Sequence, residues 1–371
     1  SCASAEADAQ RTPVYMDIVL DGSRSMDGFG DDGFIPGARG GDPLAPPRTQ
    51  GVCDSDTENC NGNPVPGRGL TGKKWIAVRG ALNAFFDNLA KKPADGTLGV
   101  ALVRFSGTGA TGARTNLRVV DAAHAAALKA RYNPNAWPSG GTPLDDFTES
   151  EVSFLKAFTP AAPLRSGGKR VLVLMTDGVP SSSDGESRDQ KKNAVVTAVS
   201  AAAKDSKTPV TTFAVGIGNP TDPVEVYDES FVSRVAKAGG AAEAGCDEAW
   251  SGGATKPCHL QITPGSKSAA ELEAEFTAAI ERIAGSVLGC EFDLGRKPGV
   301  AIDPARINVV RIPPGGAQSL VPKSSTDGWS YDNEANPTKV ILNGPACTSI
   351  KSAEAAGTRI KVVVGCPTKV N

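Results

Sequence analysis

The chain has 371 residues, a formal net charge of −2 and 22% charged residues, with 42 Gly and 27 Pro but only 5% aromatic residues. This length allows two or three domains. A balanced charge without a basic stripe argues against a nucleic-acid-binding protein. No stretch of 18 or more apolar residues is present, so we expect no membrane span.

Hydrophobic patterns predict strands and helices that alternate over most of the chain. Apolar, β-branched runs predict strands at 14–20, 98–105, 116–120, 170–176, 210–216 and 258–263. Helical spacing of apolar residues predicts helices at 73–91, 121–131, 143–158, 188–205, 229–238 and 269–288. Thr142 is the expected N-cap of the third helix, with Pro143 at its first position. This alternation predicts an α/β fold with a doubly wound, mainly parallel sheet flanked by helices.

The same patterns divide the chain into two domains. Residues 1–290 form the predicted α/β domain, with a long Gly- and Pro-rich insertion at about 27–72 and a shorter one at about 241–257. Residues 291–371 form a small β-rich extension. Its short β runs lie at 307–312, 339–342 and 359–364, and one short helix is expected near 348–356.

Three short segments carry side chains that suit a metal ion. Asp21, Ser23 and Ser25 follow the first strand, Thr142 begins a helix, and Asp177 follows the strand at 170–176. Open α/β sheets bind ligands at the carboxyl ends of their strands. Two carboxylates and three hydroxyls, without thiolate or imidazole, favour a hard ion such as Mg²⁺ or Mn²⁺.

These segments resemble the metal-ion-dependent adhesion site (MIDAS) of von Willebrand factor type A domains, also called integrin I-like domains. That motif is D-x-S-x-S followed by a distant Thr and a distant Asp. Arg24 replaces the usual Gly inside the first segment. All five ligand positions are present, namely Asp21, Ser23, Ser25, Thr142 and Asp177. The resemblance implies the fold, direct ligation by the two serines, and carboxylates that ligate or orient the hydroxyls.

The resemblance also implies a function. Mg²⁺, or Mn²⁺ or Ca²⁺ in its place, would keep residual positive charge, and an Asp or Glu carboxylate of a protein partner would complete its coordination. We therefore expect a metal-dependent adhesion or ligand-binding module, and no enzyme. The extension resembles that of secreted bacterial members of the family, which implies a secreted, cell-surface or periplasmic protein, alone or as a subunit of a surface assembly.

Two other functions stay open. One is a metal-dependent hydrolase, and the other is a scaffold subunit whose metal site is not essential. The motifs have no nearby histidine and no second acidic cluster that would form a two-metal site, and the chain has no G-x-S-x-G motif. These absences favour binding over hydrolysis.

Eight cysteines, an even number without a C-x-x-C pair, predict disulfides and hence an oxidising compartment. Structural zinc is disfavoured because the chain has only two histidines. Position along the chain predicts that Cys53 pairs with Cys60 and that Cys246 pairs with Cys258.

The other four cysteines are assigned through the family resemblance. In that family the two ends of the α/β domain lie close together, which implies a bridge between Cys2 and Cys290. Cys347 and Cys366 then remain as the fourth pair. A lipid anchor at Cys2 is the alternative, and it is disfavoured because it would leave one of seven thiols unpaired.

Three further features receive weaker assignments. The segment around Asp54 and Asp56 resembles half of a calcium loop without its Gly and its final Glu, and it is a candidate for an extra Ca²⁺. His124 and His259 are expected to be structural or solvated. Four lysines are expected at solvated helix ends, namely Lys73, Lys74, Lys191 and Lys192.

Overall fold

The computed structural model describes residues 5–8, 10–23, 26, 58–59, 63–64, 73–92, 95–106, 109–110, 114–132, 138, 141–177, 180–181, 185–221, 227–264, 267–287, 289–294, 303–313, 315–354 and 359–369. The candidate calcium segment around Asp54 and Asp56, the cysteines at 2, 53 and 60, and the predicted ligand Ser25 lie outside these residues.

The chain forms seventeen named strands and seven named α-helices within the described residues. The strands are β1 (Ala5–Asp8), β2 (Gln10–Arg11), β3 (Val14–Asp21), β4 (Glu58–Asn59), β5 (Asn63–Pro64), β6 (Leu98–Ser106), β7 (Gly109–Ala110), β8 (Arg118–Val119), β9 (Lys169–Thr176), β10 (Val210–Ile217), β11 (Leu260–Ile262), β12 (Glu291–Asp293), β13 (Ile307–Ile312), β14 (Ser319–Val321), β15 (Gly328–Tyr331), β16 (Lys339–Asn343) and β17 (Arg359–Val364). The helices are α1 (Lys73–Ala90), α2 (Ala122–Lys129), α3 (Leu144–Ala157), α4 (Arg188–Ala203), α5 (Glu229–Ala238), α6 (Ala269–Val287) and α7 (Gly344–Glu354). No helix in the described part of the chain combines the length and the apolar character that crossing a membrane requires.

One compact unit, Val14–Ala284, contains the predicted doubly wound sheet. Its strand order is β11-β10-β9-β3-β6-β7, with β8 also paired to β6. The pairs among β11, β10, β9, β3 and β6 are parallel, and only the short β7 and β8 run antiparallel to β6. The central strand β3 is buried along its whole length, as its predominantly apolar pattern predicts. The predicted fold class is therefore confirmed.

Helices cover both faces of this sheet because the crossovers change direction. The chain moves from β3 to β6 on one side and then returns past β3 to β9, β10 and β11 on the other. Right-handed crossovers therefore place α1 on one face and α3, α4 and α5 on the opposite face. The latter three helices contribute buried apolar side chains to one core with β3, β6, β9 and β10. Ligands of open α/β sheets bind where the strand order reverses, which here is the boundary between β3 and β9.

The start of α3 differs from the prediction. The helix begins at Leu144, and Pro143 occupies the N-cap position without a side-chain hydrogen bond. Thr142 therefore precedes the N-cap. Its carbonyl oxygen accepts a hydrogen bond from the Leu144 backbone N–H across Pro143. Its side chain is consequently not used in capping the helix.

The second compact unit joins Ser1–Pro13 with Gly285–Asn371. It holds two antiparallel four-stranded sheets, in the orders β1-β17-β13-β14 and β15-β16-β12-β2. Trp329, Phe292 and Ile307 belong to its separate hydrophobic core. The extension is β-rich, as predicted. However, the N-terminal residues pair with it rather than with the α/β sheet, because β1 hydrogen-bonds to β17 and β2 to β12.

The disulfides confirm one predicted pair and correct two. Cys246 is bonded to Cys258 across the shorter insertion, as predicted. Cys290 is bonded to Cys347, so the predicted Cys2–Cys290 and Cys347–Cys366 bridges are wrong. The reason is that β12, which follows Cys290, pairs with β16, which directly precedes the helix of Cys347.

A buried acidic residue lies in the middle of β3. Asp17 is fully buried, and its pKa is raised well above its usual range, first by burial and then by the negative charge of Glu151. Glu151 belongs to α3 and accepts a hydrogen bond from the Arg114 guanidinium at 2.6 Å. Burial and the neighbouring negative charge both disfavour the ionised form of Asp17.

A second buried polar cluster surrounds His259. Its Nδ1 lies 2.7 Å from Ser233 Oγ, and its Nε2 lies 3.0 Å from Tyr227 Oη and 2.7 Å from Gln261 Oε1. Burial lowers the pKa of His259 to about 4. The neutral ring thus joins α5 to β11, which is the structural role expected for this histidine.

Candidate metal site

The site begins where two neighbouring strands end side by side. Strands β3 and β9 pair in parallel with Leu20 opposite Met175, so Asp21 and Thr176 are adjacent at the carboxyl edge. Thr176 Oγ1 donates a 2.6 Å hydrogen bond to Asp21 Oδ2, and the Ser23 backbone N–H donates one of 2.8 Å to Asp21 Oδ1. Both carboxylate oxygens of Asp21 are therefore held in fixed positions.

The loop after Asp21 passes very close to strand β6. The Gly22 backbone N–H donates a 2.8 Å hydrogen bond to the Phe105 carbonyl oxygen. A Cβ at position 22 would lie 2.9 Å from that oxygen and would collide with Arg104 Nε. Only glycine permits this approach, which brings Ser23 beside the end of the sheet.

The Thr142 segment is joined to the segment that follows Asp177. Ser181 Oγ accepts a 2.6 Å hydrogen bond from the Thr142 backbone N–H, and the Ser181 N–H donates to the Thr142 carbonyl at 3.0 Å. A Cβ on Gly141 would lie 2.7 Å from Ser181 Oγ, so glycine is required there as well. Sequence reasoning missed Ser181, which connects the second and third elements of the motif.

The two predicted carboxylates lie close enough to interact. Asp21 and Asp177 are both fully buried. The pKa of Asp21 is raised to about 7, first by burial and then by the negative charge of Asp177, while hydrogen bonds from Ser23 and Thr176 act in the opposite direction. Two carboxylates held together away from water favour a cation between or beside them.

Lys74 supplies one such cation, and its position contradicts the prediction. Lys74 Nζ lies 2.8 Å from Asp177 Oδ2, and both side chains are 0% exposed. The expected solvated helix end is therefore wrong for this residue. The sequence did contain a signal: Lys74 continues the stripe of Val78, Leu82 and Phe86 at four-residue spacing, all of which are buried.

A second buried cation lies next to the site on β6. Arg104 is opposite Leu20 in the neighbouring strand, and its guanidinium carbon lies 5.2 Å from the centre of the Trp75 ring. Burial lowers the pKa of Arg104 to about 10, and the charge of Asp21 partly offsets this effect. Arg104 remains charged at neutral pH and adds positive potential behind Asp21.

A third buried cation, Lys191, fixes the helix that follows Thr142. Lys191 Nζ of α4 lies 2.8 Å from Asp145 Oδ2 in the first turn of α3, and Lys191 is 2% exposed at its side chain. The prediction of a solvated Lys191 is also wrong. Lys192, its neighbour, binds Asp228 at 2.7 Å. These ion pairs join α3, α4 and the start of α5 behind the Thr142 segment.

The side chains at this edge of the sheet suit a small hard cation only if hydroxyl groups bind it together with the carboxylates. The described residues contain no cluster of three or more His, Cys, Asp or Glu side chains. Asp21 and Asp177 provide the carboxylates, and Ser23 and Thr142 lie on the adjoining segments and are almost fully buried. The donor set is therefore oxygen-only, which suits Mg²⁺, Mn²⁺ or Ca²⁺.

Comparison with known proteins identifies one family match. Residues 68–235 match the family model of the von Willebrand factor type A domain. No curated protein sequence matches the chain.

Several solved structures resemble the chain at low identity. The pilus adhesin SpaC from Lactobacillus rhamnosus GG in its open conformation has 15% identity and a TM-score of 0.45, over 96% of this chain and 39% of the adhesin. A von Willebrand factor type A protein from Catenulispora acidiphila has 15% identity and a TM-score of 0.41, over 97% and 59% of the two chains. Proximal thread matrix protein 1 from the mussel byssus, with zinc in its MIDAS motif, has 12% identity and a TM-score of 0.34, over 81% and 52%. The chain thus spans less than two thirds of each of these proteins.

Proposed function

Because the chain carries a von Willebrand factor type A domain, we propose that it is a metal-ion-dependent binding module that captures an acidic group of a protein partner. Asp21, Ser23, Ser25, Thr142 and Asp177 would hold the ion. When bound, the ion supplies a positive charge to which a partner's Asp or Glu carboxylate can bind. The observation that carries this proposal is the pair of buried, interacting carboxylates at the switch point of the sheet.

The residues around these ligands support a preformed site. Thr176 and the Ser23 backbone orient Asp21, and Ser181 holds the backbone of Thr142. Oriented donors of this kind raise metal affinity because less freedom is lost on binding. These contacts orient the ligands, and none of them assigns a catalytic role to a residue.

We favour binding over catalysis. The chain has two histidines. The ring of His259 bonds to Ser233, Tyr227 and Gln261, and His124 Nε2 lies 2.8 Å from the Val100 carbonyl oxygen. Both rings therefore have structural partners. A hydrolase would also need a base beside the ion, and the two buried carboxylates are better explained as ligands.

We further propose a secreted or cell-surface location. Cys246–Cys258 and Cys290–Cys347 are disulfides, which persist in oxidising compartments. The partner is then another extracellular protein or a subunit of a surface assembly.

The test is calorimetric titration of Mg²⁺, Mn²⁺ and Ca²⁺ into chelator-treated protein. We expect saturable binding of one ion, which Ser23→Ala abolishes and Ser206→Ala, a change at an exposed serine outside the site, leaves intact. Absence of binding by all three ions would contradict the proposal and would favour a scaffold function.

A second assay addresses the partner. Immobilised protein is exposed to peptides that carry a single Asp or Glu, and to the matched Asn or Gln peptides, in Mg²⁺ and in chelator. Retention that needs both the carboxylate and the ion supports capture through the metal. Equal retention of acid and amide peptides would contradict it.

A further inference from the structure

Lys74 occupies a position that the ion-binding proposal does not explain. It lies in the first turn of α1, and its ammonium group is 2.8 Å from Asp177 Oδ2. Both side chains are 0% exposed. A lysine is rarely buried to this extent unless its charge is compensated, so the contact with Asp177 is part of what keeps Lys74 inside.

The lysine is also held in place by its own helix. Trp75, Val78 and Leu82 of α1 are all 0% exposed, so the face that carries Lys74 packs inward. Gly80 of α1 approaches Glu273 of α6 so closely that a Cβ there would collide with its carboxylate. The helix thus directs the lysine side chain at the carboxyl edge of the sheet, where Asp177 follows β9.

We propose that Lys74 is a resident cation of this site, which a divalent ion must displace from Asp177 in order to bind. This inference rests on the proposed function, because it assumes that Asp177 is a ligand of the ion. Lys74 would then set the affinity of the site and exclude ions that cannot compete with a tethered ammonium group.

Lys74 and a divalent ion compete because both are positively charged and both would bind the lone pairs of the Asp177 carboxylate. Asp177 Oδ2 already accepts a hydrogen bond from the ammonium group, and an ion beside it would meet a like charge in a buried site, where water screens little. A divalent ion gains twice the attraction of a monovalent one from Asp21 and Asp177. The exchange is therefore favourable only for divalent ions, and Na⁺ or K⁺ should not replace the lysine.

The geometry also makes the exchange feasible. Lysine carries its charge on a flexible four-carbon stem, so the ammonium group can withdraw while α1 stays packed. In the ion-free protein the same contact leaves Asp177 paired with a positive charge instead of facing Asp21 alone. Lys74 would thus protect the ion-free site from the repulsion between its two carboxylates.

The experiment compares Mg²⁺ binding by the wild type, Lys74→Met and Lys74→Gln in calorimetry. The matched control is Lys267→Met, which removes a partly exposed lysine that pairs with Glu275 on α6. We expect both Lys74 variants to bind Mg²⁺ about tenfold or more tightly than the wild type, since a like charge is removed from a buried site. Lys267→Met should bind like the wild type.

Thermal unfolding in chelator and in saturating Mg²⁺ provides a readout that does not depend on a partner. Mg²⁺ should raise the Tm of Lys74→Gln more than that of the wild type, and this variant retains a hydrogen-bond donor should Lys74→Met fail to fold. Equal or weaker Mg²⁺ affinity in both Lys74 variants, with binding by the wild type, would overturn this inference alone. Absence of binding by the wild type and both variants would overturn the proposed function as well.

Discussion

The ion pair between Lys74 and Asp177 makes a quantitative prediction for the stability of the ion-free protein. Both side chains are 0% exposed and the charged atoms are 2.8 Å apart. Removing one partner of such a pair leaves an uncompensated buried charge, which typically costs about 3–5 kcal/mol. We expect this loss for Lys74→Met in chelator. Asp177→Asn should cost less, because it also removes a charge that raises the pKa of Asp21.

A double-mutant cycle isolates the contact itself. The free energy of unfolding is measured by urea titration, followed by circular dichroism at 222 nm, for the two single variants and the double variant. We expect the double variant to lose less than the sum of the single variants, by about 1–3 kcal/mol. The partly exposed surface pair of Lys267 and Glu275 is the control, and surface pairs typically contribute about 0–1 kcal/mol.

Two results would refute this reasoning. A coupling energy below about 0.5 kcal/mol would mean that the two groups do not interact in the ion-free protein. A loss in Lys74→Met no larger than that in Lys267→Met would mean that Lys74 is solvated, as the sequence alone had indicated.

Three further predictions concern buried polar groups. Thr176→Val removes the hydroxyl that donates to Asp21 Oδ2 and should cost about 1.5–3 kcal/mol in urea unfolding, the usual range for a hydrogen bond to a charged group. His259 has its pKa lowered from 6.5 to about 4, so its contribution is complete above pH 6.5 and is lost as the pH falls to 4. Between pH 6.5 and pH 4, the free energy of unfolding of the wild type should fall by about 3 kcal/mol relative to that of His259→Gln. Asp17 has a raised pKa, so its contribution to stability is present at low pH and falls as the pH rises. Asp17→Asn should be more stable than the wild type at pH 7, because a neutral amide avoids burying a second negative charge near Glu151.

Each of these predictions has a result that contradicts it. An unchanged free energy of unfolding in Thr176→Val would mean that the hydroxyl does not support Asp21. Parallel pH profiles for the wild type and His259→Gln would mean that the ring is not kept neutral. A loss of stability at pH 7 in Asp17→Asn would mean that Asp17 is ionised there.

The parallel sheet and the edge that carries the two carboxylates were predictable because they follow from local pattern. A mainly apolar run, interrupted by Asp17, ends at Asp21, and a second apolar run ends just before Asp177. Runs of this kind form buried parallel strands, and the carboxyl ends of parallel strands meet at one edge. The sequence therefore determined that these two carboxylates lie on the same edge, and the described geometry makes them neighbours.

Other features depended on which distant elements meet, and no local pattern encodes that. Cys290 bonds to Cys347 because β12 pairs with β16. Residues 5–8 and 10–11 likewise join the extension through β17 and β12, although they immediately precede the first strand of the α/β sheet. Backbone pairing between segments that are distant in the sequence decided both outcomes.

The charged residues show the same division between sequence and tertiary structure. Composition indicates that lysines at helix ends are solvated, and this holds on average because burial of an unpaired charge is costly. Lys74 and Lys191 are buried because Asp177 and Asp145 compensate them from other elements. The sequence determined which strand ends carry the carboxylates. Only the tertiary structure decided that a lysine reaches one of them, since the free energy of burying a charge depends on the partner that the fold brings to it.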